Sequence, residues 1–456
     1  MSIRRIELII AYIIILFSFA NFIPQYYSFR IADQNILNIR VWVFLFFLVS
    51  IFFDSSSMFT PTMIWVYLYI LIYLLLEVLG HYDLWGLGRR SRFAWLRDQH
   101  LPLAISVLFI EKYSNPSGRN DLKKLINFSF LVIFTLCLTS IFIIYRNPGV
   151  VRGTEEQISY EQLYQIRKFG LGDYGLFSSL PFLIPLLVFQ YKIKLAERKN
   201  IPLNSLLSII IIIVCSYMAV IVAPFLLLIV FLFLAILGRK RLRSNMVILC
   251  ILLGIFIVTP KSIIGNMFFS FSDIIPNKEV SIKLNEIGIG FTEGFELVTY
   301  EYEASTGIEG RASRIKYNLL DFLRSPIIGT GKEGNAHLFW LNLLAQFGLV
   351  GLLPLIFIIW LQIKKNTKFL SEDILFTYYL SITSFIMIGL IKSIISYEMY
   401  LIPFFIIPGK ELFPVYDLTR NNQLMGCMNS DNCLQWCAGC GDKLNCPYYN
   451  RPYYKK

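Results

Sequence analysis

The chain has 456 residues, 56% of them hydrophobic and 16% charged, with 42 lysines and arginines against 30 aspartates and glutamates for a formal net charge of +12. Apolar runs of membrane-crossing length recur from end to end, and the charges gather between them. That excludes a soluble globular domain, a β-barrel with its alternating ten-residue segments, and a nucleic-acid-binding module, which needs a basic soluble domain.

The pattern predicts an all-α fold, a polytopic transmembrane bundle of about twelve spans. The spans fall near 6–23, 38–53, 62–80, 100–112, 125–145, 174–190, 204–221, 222–238, 245–260, 337–361, 373–391 and 393–408. The first resembles a signal peptide in its charge order. It ends at Asn21-Phe-Ile-Pro24 without a small-residue cleavage site, so it reads as a retained span. The run from Leu203 to Leu237 exceeds one crossing, and Ala223-Pro224 marks where it turns back.

Basic loops set the expected orientation. Arg4-Arg5, Arg119/Lys123/Lys124, Lys192/Lys194/Arg198/Lys199, Arg239-Lys240-Arg241/Arg243 and Lys364-Lys365/Lys368 fall on one side, which is then the cytoplasm and holds both termini. Two large loops, 146–173 and 261–336, lie outside. So does 81–100, where Arg89, Arg90, Arg92 and Arg97 run against the positive-inside tendency. They form an anion site, since guanidinium forks suit phosphate, or the spans around them are miscounted. In the first large loop Ile158 to Lys168 reads as a surface helix, and Arg146 and Arg152 sit close to the membrane as headgroup anchors or anion ligands.

The second large loop leads into the most informative stretch, Gly310 to Gly351. Its glutamates Glu293, Glu296, Glu301, Glu303 and Glu309 read as a solvated acidic face, and no Asp-x-Asp supports divalent-metal glycosyl transfer. Arg311, Arg314 and Lys316 follow, with Arg314, Asn318 and Asp321 spaced for one helical face. Next comes Ser325-Pro326-Ile327-Ile328-Gly329-Thr330-Gly331, whose glycines let the backbone fold closely over what lies beneath. His337 opens an apolar helix with Trp340 at interfacial depth, and can take a proton from a hydroxyl near neutral pH. Lys392 and Glu398 are charges inside predicted spans that read as a pair across the last turn.

The pattern Arg-x-x-Arg, then Leu-Leu, Ser-Pro-x-x-Gly-x-Gly, His and Gln-Phe-Gly-Leu-Val-Gly, over Arg311 to Gly351, resembles the signature of bacterial O-antigen polymerases and O-antigen ligases. The resemblance implies inverting, metal-independent glycosyl transfer at the outer face of the bacterial inner membrane, without a cofactor. The donor would be an undecaprenyl-pyrophosphate-linked glycan, and the other partners membrane lipid and a chain-length regulator. The family's histidine corresponds to His337, near the acceptor hydroxyl, and its pyrophosphate-holding arginine to Arg311 or Arg314. Many ligases carry Ser-Arg in the seventh span. This chain has Ser216-Tyr217-Met218 there, which favours a polymerase and leaves a second pyrophosphate contact to Arg146 or Arg152. Nearly charge-free spans disfavour the remaining alternative, a flippase for lipid-linked oligosaccharide.

Residues 1–408 therefore read as one transmembrane glycosyl-transfer domain and 409–456 as a cytoplasmic, Cys-rich tail. Its Cys437-Ala-Gly-Cys440 has zinc-knuckle spacing, and Cys433 and Cys446 complete four thiolates. The other readings are a plain extension without a metal, or disulfides if the tail lies outside.

Overall fold

The structure is a computed structural model. It describes residues 3–20, 30–31, 34–35, 38–53, 55–78, 99–114, 118–147, 150–151, 166, 170–197, 202–219, 221, 223–238, 260–274, 281–282, 284–285, 288–289, 292, 308–331, 338–367, 372–394 and 396–409. Helix α1 spans Ile3–Phe19, α2 Ile39–Phe53, α3 Pro61–Val78, α4 Leu101–Tyr113, α5 Arg119–Arg146, α6 Tyr174–Glu197 and α7 Leu203–Met218. Then follow α8 Ala223–Gly238, α9 Lys261–Ile274, α10 Ile308–Arg324, α11 Phe339–Thr367, α12 Glu372–Ile391 and α13 Tyr397–Leu401, which runs into a π-helical turn over Ile402–Ile406. Among the described residues the only strands are a two-residue antiparallel pair, Arg30–Ile31 with Gln34–Asn35.

The all-helical class matches the expectation, and a helix lies at each expected span except 245–260, which falls outside the described residues. Four helices are long and apolar enough to cross a membrane: Asn120–Arg146, Tyr174–Leu195, Phe339–Asn366 and Ile374–Ile391. Shorter apolar helices cover Ile39–Phe52, Pro61–Leu76, Leu203–Met218 and Ala223–Gly238. The long run around residue 220 is two helices. Lys192 Nζ, near the end of α6, donates to the carbonyls of Ala235 and Ile236 at 2.8 and 2.6 Å, while Lys194 Nζ donates to Ser205 Oγ at 3.1 Å. The start of α7 and the end of α8 thus lie together, which makes the pair an antiparallel hairpin.

At the centre are α4 and the segment 398–409, each buried on all sides and mostly apolar, with the charges Glu111, Lys112 and Glu398 at their ends. The surrounding helices face the other way. On α3, Ile64, Leu68, Leu71 and Leu75 form an exposed stripe; on α11, Leu349, Leu353, Ile356 and Trp360 form another. Spacings of three and four residues place each stripe on one helix face. Contiguous apolar surface of this kind marks contact with lipid or another protein.

The charged side chains buried in the bundle gather at its two ends. At the first, Arg4 clamps Asp121 through Nε and Nη2 at 2.9 and 2.7 Å. Glu7 pairs with Lys112, and Ser50 joins them, donating to Glu7 Oε1 at 3.0 Å. Glu111 accepts from Gln362 at 3.1 Å and from Lys365 at 2.7 Å. The beginnings of α1 and α5 and the ends of α4 and α11 are thereby tied together. The end of α5 meets the start of α6, where Thr139 Oγ1 donates to Gly170 O at 2.6 Å and Ser140 Oγ accepts from Gly172 N at 2.8 Å. Helix α6 therefore runs antiparallel to α5, and Lys192 and Lys194 return to the end that holds Arg4. Arg4, Lys124, Lys192, Lys194 and Lys365 share this basic end, in agreement with the loop count.

A buried charge stripped of its partner costs about 3–5 kcal/mol, whereas replacing both partners by apolar groups of similar size is often neutral. Lys112→Met should therefore lower the melting temperature of the detergent-solubilised protein sharply, and Glu7→Leu combined with Lys112→Met should recover most of the loss. A double variant as unstable as the single would show that the pair itself stabilises the bundle.

Candidate functional site

Helix α11 is broken six residues before Pro354, at Gly348, where φ is 61° and ψ is −160°. An unbroken helix would join Leu349 N to Ala345 O and Val350 N to Gln346 O. Here the turn 326–331 is inserted between them. Leu349 N donates to Pro326 O at 2.9 Å and Val350 N to Ile327 O at 3.0 Å, while Thr330 N donates to Ala345 O at 2.9 Å and Gly331 N to Gln346 O at 3.0 Å. Two hydrogen bonds of the helix are exchanged for four to the turn, so the four groups freed by the break are paired again, as an apolar surrounding demands.

The exchange needs two glycines. A Cβ on Gly329 would lie 2.2 Å from Gln346 O, and one on Gly348 would lie 2.4 Å from Ile327 O. Both residues also have positive φ, a region that L side chains enter at a cost. The Ser-Pro-x-x-Gly-x-Gly and Gln-Phe-Gly-Leu-Val-Gly halves of the motif are thus one interlocked piece of backbone, which fixes α10 to α11. Asn318 is buried on α10, and Asp321 pairs with Arg324 at 3.1 Å.

The interlock brackets the histidine segment. Gly331 is held on Gln346, and Leu338 is the first residue of the next described stretch. Leu338 has φ 64°, and its carbonyl accepts from Asn342 N at 2.8 Å at the start of α11. A buried leucine in the left-handed region stores on the order of 1–3 kcal/mol. His337 itself lies outside the described residues, as do Arg152, the arginines of 81–97, the helix expected over Ile158 to Lys168 apart from Ile166, and Cys433, Cys437, Cys440 and Cys446. Arg311 and Arg314 lie in the backbone of α10. Arg146 is exposed on the last turn of α5, with its guanidinium 4.3 Å from the centre of the Phe142 ring. Among the described residues, no group of three His, Cys, Asp or Glu side chains could hold a metal ion.

A cluster that the sequence reading treated as structural lies at the start of α11. Phe339 N donates to Lys392 O at 3.2 Å, and Trp340 Nε1 donates to Ile386 O at 2.8 Å. Trp340 thus packs against α12, where Gly389 leaves room for its ring, rather than serving only as an interfacial anchor. Lys392 and Glu398, expected to pair with each other, both reach the start of α6. Lys392 Nζ donates to Tyr174 OH and lies 4.7 Å from the centre of its ring. The Glu398 carboxyl hydrogen-bonds that of Asp173 and lies over Gly175, where a Cβ would meet Glu398 Oε1 at 1.9 Å and Ser396 Oγ at 2.3 Å. Asp173 Oδ1 caps the helix by accepting from Leu176 N at 2.9 Å. The carboxyls gather where the unpaired N–H groups of α6 carry partial positive charge. The signals in the sequence were Gly175 and Asp173 just before an apolar run, and two ionisable residues at the end of another.

A second polar group lies deeper. His100, buried, stacks between Tyr69 and Tyr73, and the Tyr73 ring contacts Phe347 beside the helix break, with centroids 4.0 Å apart.

In comparisons with known proteins the chain matches no protein family, no curated protein sequence and no solved structure.

Because Gly329 and Gly348 touch backbone rather than flexible side chains, alanine at either position has nowhere to go. Each substitution should destabilise the solubilised protein by at least about 2 kcal/mol, from left-handed strain plus overlap, read as a fall in melting temperature. Wild-type stability of both variants would contradict the interlock.

Proposed function

We infer that the chain is a polymerase that joins undecaprenyl-pyrophosphate-linked oligosaccharide units into a surface polysaccharide, working at the outer face of the bacterial inner membrane. It crosses that membrane about twelve times, with the basic end in the cytoplasm and the loop before α11 forming a helical cap outside. The observation that carries the reading is the interlock. The two halves of the motif that resembles O-antigen polymerases and ligases depend on each other physically, and between them they hold the segment that ends in His337.

In this reading α10 presents Arg311 and Arg314 to the pyrophosphate, with Arg146 or Arg152 as a further contact. Negative charge grows on the leaving pyrophosphate as its bond to the sugar breaks. Guanidinium groups fixed in place therefore stabilise the transition state more than the ground state. His337 takes the proton of the acceptor hydroxyl. The lack of an arginine beside Ser216 in α7 supports a polymerase over a ligase.

His337→Ala should abolish glycan chain growth while the protein still inserts in the membrane, and long chains of normal length in that variant would refute the role. Combined Arg311→Ala and Arg314→Ala should weaken donor binding, read as a raised KM for lipid-linked units. The surface glycan of a strain lacking the gene separates the alternatives. Core capped by a single repeat identifies a polymerase, whereas bare core with lipid-linked polymer behind it identifies a ligase.

A further inference from the structure

We propose that the carboxyl pair of Asp173 and Glu398 receives the proton released by glycosyl transfer and passes it to water on the side away from the basic end. The inference rests on the transferase reading above and adds to it a place for the proton. Glu398 is 2% exposed, and its carboxyl lies at the head of α6 beside Asp173 and Ser396. Lys392, 6% exposed, brings a cation to the same place through Tyr174, which is 39% exposed and opens the cluster to solvent. Two carboxyls in hydrogen-bond contact hold one proton between them and have capacity for a second.

The groups that bear on Glu398 come from several elements. Asp173 and Tyr174 lead α6, and Lys392, Ser396 and Tyr397 lie between α12 and the body of α13. One turn deeper, Tyr400 neighbours Tyr69, which stacks on His100 at the head of α4. Helix α1 also packs against α13, but its charged residues Arg4, Arg5 and Glu7 sit at the basic end. Among the described residues, Lys392 is thus the cation that these groups place beside the pair. It offsets the negative charge of the pair and keeps it able to bind a proton and to release it.

The balance of the step is as follows. The O–H bond of the acceptor sugar breaks as its oxygen bonds to the anomeric carbon of the donor. The bond from that carbon to the pyrophosphate oxygen breaks, and its electron pair leaves with undecaprenyl pyrophosphate. The proton, one per bond formed, ends on the pair, and half-buried Asp173 exchanges it with water. The cluster is joined to the start of α11, the helix that follows His337 in sequence, because Lys392 O accepts from Phe339 N.

The test uses membranes from a strain lacking the gene, which carry their own accumulated lipid-linked repeat units as the probe. Wild-type chain, Glu398→Gln and Asp173→Asn are expressed in turn, and the rate of chain growth is followed from acid to alkaline pH. Wild-type activity should fall as pH drops and the pair fills with protons. Glu398→Gln should slow growth on the order of 100-fold without raising KM for the lipid-linked unit, and should shift or erase the acid limb. Asp173→Asn should act in the same direction. A merely structural role would change the amount of folded protein and leave the acid limb of the remaining activity in place. An unshifted limb in either variant therefore overturns the inference, and if Glu398→Gln fails to insert, Asp173→Asn decides alone. No polymer from the wild-type chain at any pH would instead refute the transferase reading.

Discussion

The arrangement of this protein depends on one backbone insertion. Where Pro326–Gly331 enters the ladder of α11, four hydrogen bonds replace two, and the contact is between main chains with no side chain in the way. Such a contact is stiff, because main-chain atoms at 2.9–3.0 Å cannot slide as interdigitated side chains can. A helix kinked by proline alone would leave carbonyls to be satisfied by chance neighbours. This break carries its own partners and joins α10 to α11 at a set place. The residues between Gly331 and Leu338 then start and finish at held points, and Leu338 takes up the strain with its left-handed backbone.

Charge within the bundle divides into two kinds of site. At the basic end the ionisable groups pair closely: Arg4 with Asp121, Glu7 with Lys112, Glu111 with Lys365. Each acid there has a cation within reach, which is how buried charge is tolerated. At the other end the carboxyls of Asp173 and Glu398 meet each other, and the nearby cation reaches a phenol. Close ion pairs tie helix ends together. A carboxyl that leans on another carboxyl gains nothing in stability from the contact, and so invites a chemical explanation.

Much of the fold was legible in the sequence because hydropathy in a lipid-facing bundle is a direct physical requirement. Every expected span within the described residues coincides with a helix, the turn-back before Ala223-Pro224 is real, and the described basic residues Arg4, Lys124, Lys192, Lys194 and Lys365 converge on one end. Glycine chemistry in the motif was legible only as close approach. Nothing local says that the backbone beneath Gly329 is the chain itself, some eighteen residues further on, because the partner of an inserted turn is a tertiary fact. The shared neighbours of Lys392 and Glu398 were hidden for a similar reason. The two residues are close in sequence, yet both turn towards Asp173 and Tyr174, more than two hundred residues earlier, since the head of α6 offers unpaired N–H groups and Gly175 leaves the room.

The interlock and the carboxyl cluster both bear on the first turns of α11, one joined through Ala345 to Val350 and the other through Phe339 and Trp340. Together they hold the helix before its apolar body begins. An enzyme that moves no substrate across the bilayer has no need of a passage between its helices. It needs a few groups held rigidly at one surface, where charge can develop against fixed dipoles without reorganisation. The start of α11 has that character: it is bonded to α12 through Trp340, to the loop after α12 through Phe339 and to α10 through the inserted turn. Four main-chain hydrogen bonds closed by two glycines that tolerate no side chain argue for a part of the molecule that stays still.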